Sequence, residues 1–199
     1  MATPIILAST SDIRAQLLQR AGVTFSAQAA RVDEEAIRAA LQAEGASPRD
    51  LADHLAESKA AKISDKNPDA LVIGCDQILA LGPRIFAKPV DQADALAQLQ
   101  SLRGQTHNLY SAAVIYLGGQ PQWRHVGQAR MTMRDLSDGM LTRYIKENWH
   151  SIQHSVGGYK IEEQGIQLFS EIEGDTFTIQ GLPLLPLLNY LAQRGVIET

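Results

Sequence analysis

Apolar positions recur along this chain with two periods, and the period switches several times between strand-like and helix-like spacing. Ile5-Ile6-Leu7-Ala8 is a continuous apolar run, as in a short buried strand. It is followed by the polar turn Ser9-Thr10-Ser11. Asp12 to Ala21 has helical spacing, with Ser11 as its cap and Gly22 as its stop, and Val23-Thr24-Phe25 predicts a second strand. The charged segment Arg31-Val32-Asp33-Glu34-Glu35 leads into helical sequence that runs to about Ala43. Ser47-Pro48-Arg49-Asp50 is a strong helix start, with a serine cap and proline at the first helical position, and that helix reaches about Ser64. Ala70 to Gly74 predicts a buried strand with Asp76 at its end. Ile78 to Leu81 and Arg84 to Phe86 predict a hairpin across Gly82-Pro83.

Asp91 to Leu102 is a third amphipathic helix, stopped at Gly104. Thr106 to Leu117 and Gln122 to Met133 predict two long strands joined at Gly118-Gly119. Ser137 to Asn148 predicts a helix, Ile166 to Ile172 an alternating strand, and Leu184 to Arg194 a last helix. Strand-helix units mixed with hairpins predict an α/β fold, a mixed sheet flanked by helices. No linker or repeat divides the chain, so residues 1–199 are expected to form one domain or two closely joined lobes.

Composition narrows the function. Apolar residues make up 45% and charged residues 20%, enough to bury an ordinary core. The net charge of -4 disfavours non-specific nucleic-acid binding, so an anionic ligand requires a local cluster of cations. No run approaches the ~20 apolar residues of a membrane span. The start Met1-Ala2-Thr3-Pro4 lacks the pattern of a signal peptide. The single cysteine, Cys75, closes an apolar run and reads as a small core residue. A soluble, reducing, cytoplasmic setting is expected.

Some polar residues do not fit a purely structural pattern. Ser9-Thr10-Ser11 opens a helix after a strand, and Arg14 lies one turn on. The turn is either a serine cap beside a solvated arginine or an anion site using helix-start amides and a guanidinium fork. Lys59 falls between Leu55 and Ile63 on the apolar face of its helix, so it must snorkel, pair with an acid or line a cleft. Asp76 is either a turn aspartate or an acid at the carboxyl end of a strand, where ligands of α/β sheets gather. Lys88, stiffened by Pro89, and Glu34 say little alone. His54, His107, His125, His150 and His154 have no metal-ligand spacing.

These signals occur in one order. Leu7-Ala8-Ser9-Thr10-Ser11 with Arg14 and Leu17-Leu18 is followed by Val32-Asp33-Glu34, Lys59-Ala60 and Ile73-Gly74-Cys75-Asp76-Gln77. Lys88-Pro89, Leu102-Arg103-Gly104-Gln105-Thr106-His107 and Gly181-Leu182-Pro183-Leu184 complete the series. The series resembles the Maf family of nucleotide pyrophosphatases over nearly the whole chain. The resemblance implies a single Maf-like domain with a mixed twisted sheet, two lobes around a nucleotide cleft, and a fold akin to that of inosine triphosphatases. It also implies a cytoplasmic homodimer that needs a divalent metal, Mg²⁺ or Mn²⁺.

The resemblance places the catalytic acid on Asp76, its supporting groups on Glu34, Lys59 and Lys88, substrate contacts on Ser9 and Arg14, and metal ligands on Glu34 and Asp76. A nucleoside triphosphate would be cut to the monophosphate and pyrophosphate. Asp76 would orient or deprotonate the attacking water, and the cations would neutralise the phosphates. Gln77 and Glu162 resemble the branch that cleaves 7-methyl-GTP, since a carboxylate complements a cationic base. Ile13 stands where that branch has an aromatic residue able to stack on such a base. The alternatives are a dTTP or UTP pyrophosphatase, and a nucleotide-binding regulator of septum formation.

Overall fold

The structure is a computed structural model. It describes residues 3–198, so Met1 and Ala2 of the opening tetrapeptide lie outside the described residues, as does Thr199. By contacts the chain divides into two compact units. The first holds the stretch ending at Gln77, Tyr110–Gly127 and the stretch from Gly181 onward. The second holds Ile78–Leu109 and Gln128–Gln180.

The first unit starts with β1 (Ile5–Ala8), fully buried as its apolar run requires. Helix α1 (Asp12–Arg20) follows. The chain then turns at Gly22, and the Val23 amide donates to the Leu18 carbonyl. That six-to-one bond closes the helix and buries Val23 as its apolar plug. The expected strand at Val23-Thr24-Phe25 is therefore displaced to β2 (Ser26–Ala27), which pairs parallel with β1. Helix α2 (Glu34–Ala43) is capped by Asp33, whose side chain accepts from the Ala36 amide. Helix α3 (Pro48–Ser64) is capped by Ser47 with proline in its first turn, as the sequence predicts.

Strand β3 (Leu71–Leu81) departs most from expectation. Asp76 does not end it, because the strand runs through Asp76-Gln77 and joins the two segments expected on either side. The polar pair is tolerated inside a buried strand because both side chains find partners, Lys59 for Asp76 and Ser111 for Gln77. Its first half pairs parallel with β1, Ala8 opposite Gly74. Its second half lies in the other unit and pairs antiparallel with β4 (Arg84–Phe86).

Strands β5 (Thr106–Leu117) and β6 (Gln120–Met133) form the expected hairpin. Gly118 and Gly119 both have positive φ, 58° and 71°, as a two-residue turn between strands demands. With β7 (Phe169–Glu173) the strand order is β2-β1-β3-β5-β6-β7, a seven-stranded mixed sheet with β4 beside β3.

In the second unit α4 (Gln92–Leu102) packs on α5 (Asp138–Ile152) over a core that includes Leu79, Leu99, Met131, Ile145, Tyr159 and Phe169. Helix α5 passes the expected stop at Asn148, because the Asn148 amide donates to the Tyr144 carbonyl and to Gln164. The expected strand at Ile166 begins later, since Gln164–Leu168 is a 3₁₀ turn. A one-turn helix α6 (Thr176–Ile179) ends this unit, and α7 (Leu184–Gln193) closes the first. Among the described residues no helix is long and apolar enough to cross a membrane.

Candidate active site

Gly74 determines where α3 meets β3. A Cβ at this position would stand 2.1 Å from the Ala56 carbonyl oxygen and 2.7 Å from the Ala60 nitrogen, so helix and strand touch backbone to backbone. Lys59 lies on the helix face that makes this approach, with buried Leu55 and Ile63 one turn to either side. It is 8% exposed and does not snorkel. Its ammonium donates to Asp76 Oδ1 at 2.6 Å and lies 2.8 Å from Glu34 Oε1. Of the options open at an apolar position, pairing is the one realised.

The three charges form a graded row. The Asp76 side chain is 8% exposed and Lys59 10%, while Glu34, at the start of α2, is 44% exposed. Asp76 thus carries a buried charge with Lys59 as its compensating cation. Its second oxygen, Oδ2, is buried and accepts no hydrogen bond from any described residue. A buried acceptor rarely goes unused. An oxygen of this kind suits a water proton or a cation and repels a bare phosphate oxygen.

Arg14 reaches the same stretch of β3 from α1. Its Nη1 donates to the Cys75 carbonyl at 3.0 Å and its Nε to the Gly181 carbonyl at 2.8 Å. A longer contact of 3.4 Å links Nη1 to Ser9 Oγ. Gly181 has φ +98°, and a Cβ there would lie 3.3 Å from the guanidinium. Arg14 is thus tied to the main chain beside Asp76.

Ser11 does not cap α1 with its side chain, contrary to expectation. Its amide instead donates to Ser9 Oγ at 3.2 Å, which leaves the first helical turn without a side-chain cap. Ile13 is half-buried on α1. Gln77 Nε2 donates to Ser111 Oγ at 2.9 Å.

The structure therefore brings Glu34, Lys59 and Asp76 into ionic contact, and joins Ser9 and Arg14 to the residue before Asp76. Lys88 and Glu162 belong to the second unit and are exposed there, Lys88 just after β4 and Glu162 in the turn after Tyr159. Cys75 is fully buried, and burial pushes its thiol up to about 11 against the pull of Arg14 and Lys59, so it is no nucleophile. Ser111 was not foreseen. It is one small polar residue among Ala112, Ala113 and Val114, and only β3–β5 pairing reveals that it faces Gln77.

Asp76 and Glu34 offer the hard oxygens a Mg²⁺ or Mn²⁺ ion prefers, and Asp76 Oδ2 is unused. Among the described residues no three His, Cys, Asp or Glu side chains converge as a metal cage. Two carboxylates alone fit an ion that keeps several waters and takes phosphate oxygens, as magnesium does.

The chain matches the family described as Maf-like protein over residues 4–194. It is 59% identical over 199 residues to a nucleoside triphosphate pyrophosphatase of Ruegeria pomeroyi, covering 100% of both chains. It is 58% identical to one of Roseobacter denitrificans, covering 98% of each. Identity is 50% to a 7-methyl-GTP pyrophosphatase of Brucella abortus biovar 1, again over 100% of both. A match of this extent, with the motifs placed as described, shows that the chain belongs to the Maf-like protein family.

Proposed function

We propose that this chain is a nucleoside triphosphate pyrophosphatase in which Asp76, held by Lys59, acts on the attacking water. The observation that carries this reading is the unused Asp76 Oδ2 beside a carboxylate oxygen fixed at 2.6 Å from an ammonium. One oxygen is occupied and orients the group, and the other can take a proton. Relatives bearing the pyrophosphatase name across their full length support the reaction class.

In the reaction a water oxygen bonds to the α-phosphorus as its proton passes to Asp76 Oδ2. The bond from that phosphorus to the α–β bridging oxygen breaks, releasing pyrophosphate and leaving the monophosphate. Lys59 keeps the buried Asp76 charge compensated. The uncapped start of α1, Ser9 and Arg14 suit phosphate oxygens, because helix-start amides and a guanidinium are anion ligands. Lys88 contributes a further cation. Glu34 and Asp76 would hold a divalent cation, Mg²⁺ or Mn²⁺, which supplies charge neutralisation on the phosphate oxygens.

The base preferred in this reading is 7-methylguanine. Lys160 pairs with Glu163 at 3.6 Å and both bond Ser151, so the adjacent Glu162 is the carboxylate of that turn left without an ion-pair partner among the described residues. An uncompensated carboxylate complements a cationic base. Gln77 presents an amide whose donor end is fixed on Ser111. Ile13 gives apolar contact only, so the preference over dTTP and UTP is shallow. The Brucella relative carries the 7-methyl-GTP name.

Pyrophosphate release from 7-methyl-GTP, GTP, dTTP and UTP tests the reading. Asp76→Asn should retain nucleotide binding and lose at least ~100-fold in turnover. Near-normal turnover by this variant would refute the assignment of Asp76.

A further inference from the structure

The turn that presents Glu162 is unusually well fixed for a surface segment. Gly165 lets it close, since a Cβ there would stand 2.4 Å from the Lys160 carbonyl oxygen. At its base Tyr159 is 5% exposed, and its hydroxyl lies 2.7 Å from Nε2 of His107, a fully buried residue of β5. The Tyr159 ring meets Phe169 edge-on at 4.8 Å. Gly157, at φ +76°, leaves room for that ring, because a Cβ there would be 2.9 Å from Tyr159 and 2.6 Å from Leu79. Tyr144 of α5, 5% exposed, belongs to the same core cluster as Tyr159.

None of these polar groups takes part in the chemistry above. His107 also carries a cost, since its Nδ1 is buried with no partner among the described residues. An apolar residue at position 107 would avoid that penalty. What His107 supplies instead is a hydrogen bond that fixes the Tyr159 hydroxyl, three residues before Glu162. Burial lowers the imidazole to about 4, so it stays neutral in this role near pH 7.

We propose that His107 and Tyr159 are positioning residues for base selection, which hold the Lys160–Glu163 turn so that the Glu162 carboxylate stands in one place. The proposal rests on the reading of Glu162 as the carboxylate that complements a cationic base. The cradle acts on Glu162 through main chain, so its effect is on selectivity and leaves the phosphate chemistry alone.

The test compares kcat/KM for 7-methyl-GTP and UTP in the unaltered chain, Glu162→Gln, Tyr159→Phe, His107→Gln and the double variant Tyr159→Phe/Glu162→Gln. Tyr159→Phe should lower the 7-methyl-GTP to UTP ratio by about three- to tenfold, the size of one hydrogen bond's contribution. The loss should appear in KM for 7-methyl-GTP, with kcat for UTP held. His107→Gln should do the same, and serves if Tyr159→Phe does not fold. The double variant should select no worse than Glu162→Gln alone. If Glu162→Gln changes the ratio while the Tyr159 and His107 variants leave it unmoved and lower only the melting temperature, the cradle is structural and the proposal is overturned. If Glu162→Gln itself leaves the ratio unmoved, the reading of Glu162 fails and the proposal falls with it.

Discussion

Replacing Lys59 by methionine keeps a long unbranched side chain on the apolar face of α3 and removes only the ammonium. Sequence position alone suggests that an apolar residue here, such as leucine, would stabilise the helix. The structure reverses that expectation. Asp76, 8% exposed, has its nearest compensating charge in the ammonium 2.6 Å away, and Glu34 lies beyond the same ammonium. Removing one partner of a buried pair costs about 3–5 kcal/mol, because the other charge is left in a poor solvent. A loss of that size is roughly 10 °C in melting temperature for a chain of this length. Urea unfolding of Lys59→Met should show it as a lower midpoint at unchanged slope. The double variant Lys59→Met/Asp76→Asn should recover most of the loss, since the one carboxylate left behind, Glu34, is 44% exposed. A Lys59→Met chain as stable as the original would refute the reasoning, as would a double variant no better than the single one.

Two further outcomes follow from geometry and burial. Gly74→Ala places a methyl group inside the Ala56 carbonyl, so α3 must move off β3, with a loss of about 3 kcal/mol or more by urea unfolding and a parallel fall in turnover. An unchanged unfolding midpoint would mean that the helix-strand contact is looser than described. Burial holds the His107 imidazole at about 4, below its ordinary 6.5, so between these pH values the unfolded chain binds a proton that the folded chain does not. Stability from this residue is therefore full above about 6.5 and declines as pH falls to about 4, by about 3 kcal/mol in all. Urea midpoints from pH 7.5 to 4 should show the slope, and His107→Gln should flatten it.

Much of this was legible in the sequence where a local rule decides the outcome. Ser47-Pro48 started α3, Gly118-Gly119 turned the β5–β6 hairpin, and the apolar setting of Lys59 marked it as a residue that must snorkel, pair or line a cleft, of which pairing is realised. The failures share a cause, which is that tertiary partners excuse polar residues from ending an element. Asp76-Gln77 looked like a strand end because Lys59 and Ser111 are remote in sequence. Asn148 looked like a helix stop because its bond to Gln164 lies beyond the helix. Val23 looked like a strand residue because its amide bond to Leu18 depends on the turn at Gly22. Glu34 stood out only through motif order, since an acid at a helix start is ordinary.

The burial of Cys75 has a practical consequence for experiments on this protein. It is the only cysteine in the chain. With its thiol raised to about 11 and its side chain fully buried, it holds its proton at pH 7 and is out of reach of solvent. Maleimides, oxidants and disulfide reagents should therefore find the folded chain chemically silent. A single cysteine introduced at any exposed position becomes a unique handle, so a fluorophore, spin label or surface tether can be attached without first deleting the native residue next to Asp76.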